Sequence, residues 1–331
     1  MKILLVGLGS IGQRHLLNLK KIYPGAFFFA LRKKNKSLVI KDTKVLKNKR
    51  LEKIFNLKII NNYNEAKKLR PDLVFICNPT NKHYKDTNFF VKNRINTFVE
   101  KPIIANLSKI KKLNLEIKKF KIKTMVGYQL RFHPMIKLIK NIIDKKKYGR
   151  VINASFKNLS YLPDYHPYED YSESYAAKKN GGGGVINTSS HEIDLIAYFF
   201  GLPTNIYSSN IRSQNIKCET EDLVNCNLLF KHEQYFTVNL ELSFIHYLKE
   251  RSFSIFFKKA FIKANLLSSK IEIYSNKTKR RLFYKKFKIK KNELFLEELR
   301  YLKKCNKIKE KNFLSIENNL NTIKLIDQIK K

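Results

Sequence analysis

Gly7, Gly9 and Gly12, in the run Leu5-Val6-Gly7-Leu8-Gly9-Ser10-Ile11-Gly12, fill the G-x-G-x-x-G spacing between an apolar stretch and a helix-compatible one. In that setting the first glycine permits a tight turn, the second lets a pyrophosphate approach the backbone, and the third lets helix and strand pack closely. Phosphates then rest on unpaired N–H groups at a helix N-terminus, where the macrodipole favours negative charge. The motif is weak alone; the strand before it and the helix after it are the context that supports it. The stretch Gly7, Gly9, Ser10, Ile11 and Gly12 is therefore the expected phosphate cradle of a dinucleotide, against the plainer reading of a glycine-rich turn. A second strand ends in Ala30-Leu31-Arg32-Lys33-Lys34. NAD calls for an acidic residue about 20 positions after the fingerprint, whereas Arg32 suits a 2′-phosphate through its fork. This leans to NADP and leaves NAD open, with Arg32 stacked on adenine, or simply exposed, as the competing reading.

Alternating patterns place these residues. Ile3–Val6, Phe27–Leu31, Leu57–Ile60, Asp72–Cys77, Ile95–Val99 and Lys123–Gly127 read as strands, with helical spacing at Asn64–Leu69, Tyr84–Lys92 and Leu107–Phe120. Such alternation implies a parallel sheet covered on both faces, whose ligands bind beyond the carboxyl ends of the strands. Past residue 127 the pattern changes. Helical runs at Pro134–Lys146 and Ser190–Phe200 flank a strand, Val151–Leu159, and a polar aromatic loop. Strand-like runs follow at Asn205–Arg212, Asp222–Phe230, Tyr235–Phe244, Arg251–Phe257 and Lys270–Tyr274, and helices at Leu294–Lys303 and Leu314–Ile329. Strands without intervening helices suggest a mainly antiparallel sheet. The lysine-rich Lys277–Lys291 reads either as an exposed strand pair or as a loop.

The expected fold is thus a doubly wound Rossmann domain over residues 1–127 and an α+β domain, built on a mainly antiparallel open sheet, over residues 128–331. A net charge of +40 ordinarily suggests nucleic acid or an anionic membrane. Here 55 of the basic residues are Lys and only 12 are Arg, spread along the chain, and Arg is the usual reader of phosphates and bases. A solvated lysine surface accounts for the charge better than a polyanion groove, and neither nucleic acid nor membrane is expected as a partner. No apolar run approaches the ~18 residues of a membrane span, and the N-terminal apolar stretch is too short for a secretory signal. Cys77, Cys218, Cys226 and Cys305 are scattered and the seven His lack ligand spacing; no metal and a reducing, cytoplasmic setting are expected.

Further along, strand ends carry Asn78-Pro79-Thr80 with His83, then Glu100-Lys101-Pro102, then Gly127-Tyr128-Gln129-Leu130-Arg131-Phe132-His133-Pro134, and later Gly181-Gly182-Gly183-Gly184 with Asn187, His191 and Asp194. In this order, and with the opening fingerprint, they resemble the Gfo/Idh/MocA family of nicotinamide-dependent sugar and polyol oxidoreductases over nearly the whole chain. Glu-Lys-Pro is the most specific part. Leu162–Tyr171 is similar to a subgroup associated with surface-carbohydrate biosynthesis.

The resemblance implies several roles. Lys101 lies where nicotinamide and substrate meet, with its pKa lowered by the cationic ring, and relays a hydroxyl proton. His191 takes that proton near neutrality. Many relatives carry Asp four positions before this His, where this chain has Asn187, which positions a hydroxyl but holds no negative charge. Asp194 either orients His191 or is a structural hydrogen bonder. Asn78, Pro79, Thr80, His83 and Glu100 line the cofactor, and Arg131, His133, Asp164, His166, Tyr168 and Tyr175 face the sugar. The implied activity is hydride transfer between NAD or NADP and a secondary hydroxyl of a sugar or nucleotide sugar, by a homo-oligomer (a dimer or tetramer). Two alternatives stay open: transient cofactor use for epimerisation, elimination or glycoside cleavage, and a dinucleotide sensor without chemistry.

Overall fold

A computed structural model describes residues 1–32, 38–41, 44–46, 50–103, 107–290, 292–307 and 314–331. The chain opens with β1 (Lys2–Val6), α1 (Ser10–Ile22) and β2 (Phe27–Leu31). A small hairpin, β3 (Val39–Lys41) with β4 (Lys44–Leu46), and a single turn α2 (Leu51–Ile54) precede β5 (Lys58–Ile60). Then come α3 (Tyr63–Leu69), β6 (Leu73–Ile76), α4 (Thr80–Lys92), β7 (Asn96–Glu100), α5 (Leu107–Phe120) and β8 (Thr124–Gly127). Six of these strands form one parallel sheet in the order β5-β2-β1-β6-β7-β8. The order reverses between β1 and β6, so the glycine turn after β1 and Asn78 after β6 flank the switch point where open parallel sheets bind ligands. Leu73–Ile76 is buried throughout, which is why it reads as a continuous apolar run rather than an alternating one.

The second half holds α6 (Pro134–Asp144), β9 (Val151–Tyr161), α7 (Val185–Thr188), α8 (Ser190–Phe200), β10 (Asn205–Ile211), β11 (Leu223–Lys231), β12 (Tyr235–Ser243), β13 (Ile245–Phe257), β14 (Ala260–Asn265), β15 (Lys270–Ser275), β16 (Arg281–Lys286), α9 (Glu293–Lys307) and α10 (Leu320–Ile329). Its eight strands form one sheet, β10-β11-β12-β9-β13-β14-β15-β16, antiparallel except for the β12–β9 pair. On β11 buried and exposed residues alternate, as expected when one face is covered and the other is not. The covered face packs on α8, in which every residue but Tyr198 is buried.

Three expectations change. The strand Ala260–Asn265 is additional, and β13 starts at Ile245, ahead of a register shift between Ile245 and Glu250. The run expected to be helical from Leu314 first pairs with β8, through Val126 N–H to Leu314 O and a bridge between Met125 and Ser315; its helix starts at Leu320. Lys277–Lys291 contains the exposed edge strand β16. The chain also returns to the first sheet: Leu299, Leu302, Leu314 and Ile316 are buried in the same apolar cluster as Leu4, Leu16 and Val126.

Candidate active site

The glycine turn has the shape a dinucleotide needs. Gly7 adopts φ +95° and a Cβ on it would meet Asn78 N at 2.6 Å, while a Cβ on Gly12 would meet Gly7 O at 2.2 Å. Gly9 differs, with nothing within 4 Å of its Cβ position. That residue also caps α1 without any side-chain hydrogen bond to the first-turn N–H groups, which are the groups that bind an anion. The turn forms one wall of a cleft of about 760 Å³, into which Ser10, Asn78, Thr80, His83, Lys101, Tyr175 and His191 also project. That volume lies within the range of small-molecule sites. The buried Asn78 Oδ1 has no hydrogen-bond partner within the protein, as fits an atom reserved for a ligand.

Beneath the turn, His15 Nε2 lies 2.6 Å from Glu100 Oε1, and both residues are buried. Burial pushes the Glu100 pKa up, but the hydrogen bond and charge of His15, together with the charges of Lys101 and His83, hold the carboxyl below its usual range. His83 joins two strand ends, its Nδ1 lying 2.8 Å from Pro102 O and its Nε2 2.7 Å from Asn78 O. Burial holds its pKa below the ordinary histidine value. The Lys101–Pro102 peptide is cis.

Lys101 and His191 come from different halves of the chain and meet here. Lys101 Nζ donates to Thr188 O at 2.6 Å. Burial, partly opposed by Glu100 and reinforced by the Arg251 charge, lowers the Lys101 pKa to about 8. His191 is 5% exposed, and its Nδ1 has no partner within the protein. Burial, followed by the charges of Lys101, Arg251 and Arg131, holds its pKa well below the usual histidine value. Burial thus favours a neutral imidazole at His191 and brings Lys101 closer to neutrality, a direction opposite to the one the sequence suggests for the histidine.

The four-glycine loop makes this meeting possible. A Cβ on Gly183 would lie 2.4 Å from Ala176 O, and one on Gly182 would lie 2.8 Å from Asn81 N in the first turn of α4. Asn81 Nδ2 also donates to Asn180 O. Only residues without side chains fit between the two halves here, and α7 is carried to Lys101 as a result. Asn187 secures the loop from behind, its Nδ2 donating to Gly182 O and Gly183 O at 2.9 Å each.

Residues 1–128 match the model of an oxidoreductase family with an NAD-binding Rossmann fold, and residues 136–263 match that of the GFO/IDH/MocA C-terminal domain. The chain belongs to the GFO/IDH/MocA family. Myo-inositol 2-dehydrogenase of Thermotoga maritima is 25% identical over 61% of this chain and 55% of its own length. An uncharacterized oxidoreductase of Bacillus subtilis, YrbE, is 25% identical over 41% of this chain and 38% of its own. These matches span about half or less of the curated relatives. Among solved structures, the WlbA dehydrogenase of Bordetella pertussis, in complex with NADH and UDP-GlcNAcA, has a TM-score of 0.79 at 15% identity, covering 99% of this chain and 95% of that one. A levoglucosan dehydrogenase complex with NADH and levoglucosan has a TM-score of 0.82 at 15% identity, covering 100% and 96%. At such identities the likeness is one of GFO/IDH/MocA fold.

Several residues expected at the sugar lie elsewhere. Arg131 is 3% exposed and fastened to Asp194, with Nε to Oδ2 at 2.9 Å and Nη2 to Oδ1 at 2.5 Å. Asp194 also accepts from Thr322 at 2.9 Å, so it is the structural hydrogen bonder and not the partner of His191. His133 Nδ1 accepts from Met135 N–H at 3.1 Å as the cap of α6. Asp164 is exposed and lies outside the cleft lining. Arg32 is buried and ion-paired with Glu52 rather than open to the cleft, which leaves the lean to NADP without support; Lys33 and Lys34 fall outside the described residues. His166, Tyr168 and Tyr175 do reach the cleft.

Sequence reasoning missed Arg251, whose Nε donates to the buried Glu192 at 2.6 Å and whose charge bears on both Lys101 and His191. It also missed Phe295 of α9, which lines the cleft with Arg14 stacked on its ring at 5.1 Å. No local motif marks either position. Only the strand register that sets Arg251 opposite Asn158 reveals the first, and Asn158 Nδ2 donates to Glu192 at 3.1 Å.

Proposed function

We propose that the chain transfers a hydride between a nicotinamide dinucleotide, NAD or NADP, and a secondary hydroxyl of a sugar or nucleotide sugar. One observation carries this reading. A lysine whose pKa is brought to about 8 stands in the same cleft as a phosphate-binding turn, beside a buried neutral histidine. The cofactor, when bound, supplies the hydride acceptor or donor. Gly7, Gly9, Ser10, Ile11 and Gly12 would hold its pyrophosphate, and Asn78, Pro79, Thr80, His83 and Glu100 would border its nicotinamide half.

Lys101 handles the proton. As a neutral amine it keeps one N–H on Thr188 O and turns its lone pair to a substrate hydroxyl; as an ammonium it returns the proton to a carbonyl oxygen. Neutral His191 orients that hydroxyl through one ring nitrogen. Tyr175, exposed at the cleft, offers a sugar both an apolar ring face and a hydroxyl. A nucleotide sugar, and with it a place in carbohydrate biosynthesis, is favoured by the likeness of Leu162–Tyr171 to that subgroup.

The test is a screen of purified protein with either dinucleotide against free sugars, polyols and nucleotide sugars. Stoichiometric accumulation of reduced cofactor with at least one sugar is expected. Substrate conversion without net reduction would replace this reading with transient cofactor use. Dinucleotide binding without any conversion would leave a sensor.

A further inference from the structure

Residues 164–175 leave the second sheet and cross to the glycine turn of the first domain. Both shoulders of the loop are tied to the second domain. Tyr165 OH shares a hydrogen bond with Ser160 Oγ at 2.7 Å, and its ring packs edge-on to Phe244 at 5.8 Å. Tyr171 OH accepts from Lys217 N–H at 3.1 Å. Between these anchors His166-Pro167-Tyr168-Glu169 stands proud, with the proline limiting its backbone. Tyr168 OH lies 3.0 Å from His166 Nδ1, and its ring faces the cleft on the side of Ser10 in the first turn of α1. His166 and Tyr168 line the cleft together with Gly9, Ser10 and Arg14. At the far end of the same loop, Tyr175 lines the cleft together with Lys101 and His191. One loop therefore spans the cleft, with its tip at the phosphate end and its base at the reacting end.

On the dinucleotide reading proposed above, we infer that His166 and Tyr168 belong to the cofactor and not to the sugar: they reach from the second domain across the glycine turn and hydrogen-bond the pyrophosphate. The chemistry is consistent along the chain of donors. With the proton on Nδ1, His166 donates to the Tyr168 oxygen, and the phenol O–H is released to donate to a phosphoryl oxygen. Ser10 O–H and the free N–H groups of the α1 N-terminus approach the anion from the opposite side. Arg14, which acts electrostatically on Tyr168, adds positive charge, offsetting Glu169 at the cleft edge. The cofactor site is then closed by both domains, and release of the dinucleotide requires the tip of the loop to lift.

ADP-ribose, which has both phosphates but no nicotinamide, separates the possibilities. Calorimetric titration of the full-length protein and of Tyr168→Phe and His166→Ala should show ADP-ribose and the intact dinucleotide weakened by the same factor. That factor is about 10-fold for Tyr168→Phe, the usual cost of one hydrogen bond to a charged group. Release of reduced cofactor should accelerate in proportion, while the KM for the sugar stays constant. Unchanged ADP-ribose affinity in both variants overturns the inference, and a raised sugar KM alongside it would return the pair to the sugar side. Wild-type protein that binds neither ADP-ribose nor a dinucleotide overturns the cofactor reading as well, so the two failures are distinct.

Discussion

At one end of the cleft the working groups come from a single short stretch, Gly7 to Gly12, whose shape is fixed by contacts with its own strand and with Asn78. At the other end Lys101, Thr188 and His191 are drawn from a strand end, a four-residue helix and a buried helix, held together by glycines 182 and 183 packing on Asn81 and Ala176. The first arrangement is local and survives changes elsewhere. The second depends on two domains staying docked, and its proton chemistry depends on how deeply that docking buries Lys101. Damage at the two ends should therefore look different: loss of cofactor affinity at one, loss of turnover at constant cofactor affinity at the other.

The largest effect is expected from Lys101→Met, which removes the proton-handling group and leaves the phosphate cradle intact. Turnover should fall about 10²–10⁴-fold, with dinucleotide affinity nearly unchanged in a fluorescence titration. Gly9→Val should do the reverse. The open space around its Cβ lets the variant fold, but the side chain occupies the approach to the pyrophosphate. A dinucleotide affinity loss of about 10²-fold corresponds to two charge-assisted hydrogen bonds. Equal affinity in a folded Gly9→Val protein would break the contrast between the two ends.

Asn187→Asp probes the docked end more gently. The amide that donates to Gly182 O and Gly183 O becomes a carboxylate facing two carbonyl oxygens, at a cost of about 1–3 kcal/mol, read as a lowered Tm. Its charge should also raise the His191 pKa, visible by NMR titration. Asn at this position thus holds the glycine loop, a role the commoner Asp could not fill in the same way.

The last effect is read as a slope against pH and not as a lost activity, and it tests α9, whose Phe295 packs on Arg14 of α1. Glu298 of α9 is fully buried with neither carboxylate oxygen partnered, and burial, then the Glu100 charge, raises its pKa well above the usual value. A raised carboxyl pKa favours the fold below the unfolded value of about 4.3 and loses that advantage as pH rises above it. Glu298→Gln should remove this dependence. The variant should gain over wild type by about 1.4 kcal/mol per pH unit between the two pKa values, measured by denaturant unfolding across pH 5–8.

The contrast also explains what the sequence revealed. The first sheet was legible strand by strand, because buried parallel strands appear as apolar runs and the glycine turn is contiguous. Lys101 and His191 were legible only through the order of short motifs. The partners of Arg131 and Asp194 were not, since an ion pair between residues 63 positions apart leaves no local spacing. The early start of β13 was hidden because His246, Tyr247, Leu248 and Lys249 interrupt the alternation at a register shift. The docking of α9 was hidden for a different reason: its apolar face specifies burial but not the surface it covers.

The central claim is that docking of the two domains makes Lys101 the group that titrates during turnover. The pH dependence of kcat/KM for sugar oxidation tests it most directly, since this quantity reports the free enzyme's essential groups. The lowered Lys101 pKa predicts a rate that climbs through pH about 8 and then levels, with that limb missing in Lys101→Met and retained in His191→Ala. A limb centred between pH 6 and 7 that survives in Lys101→Met and vanishes in His191→Ala would contradict the account.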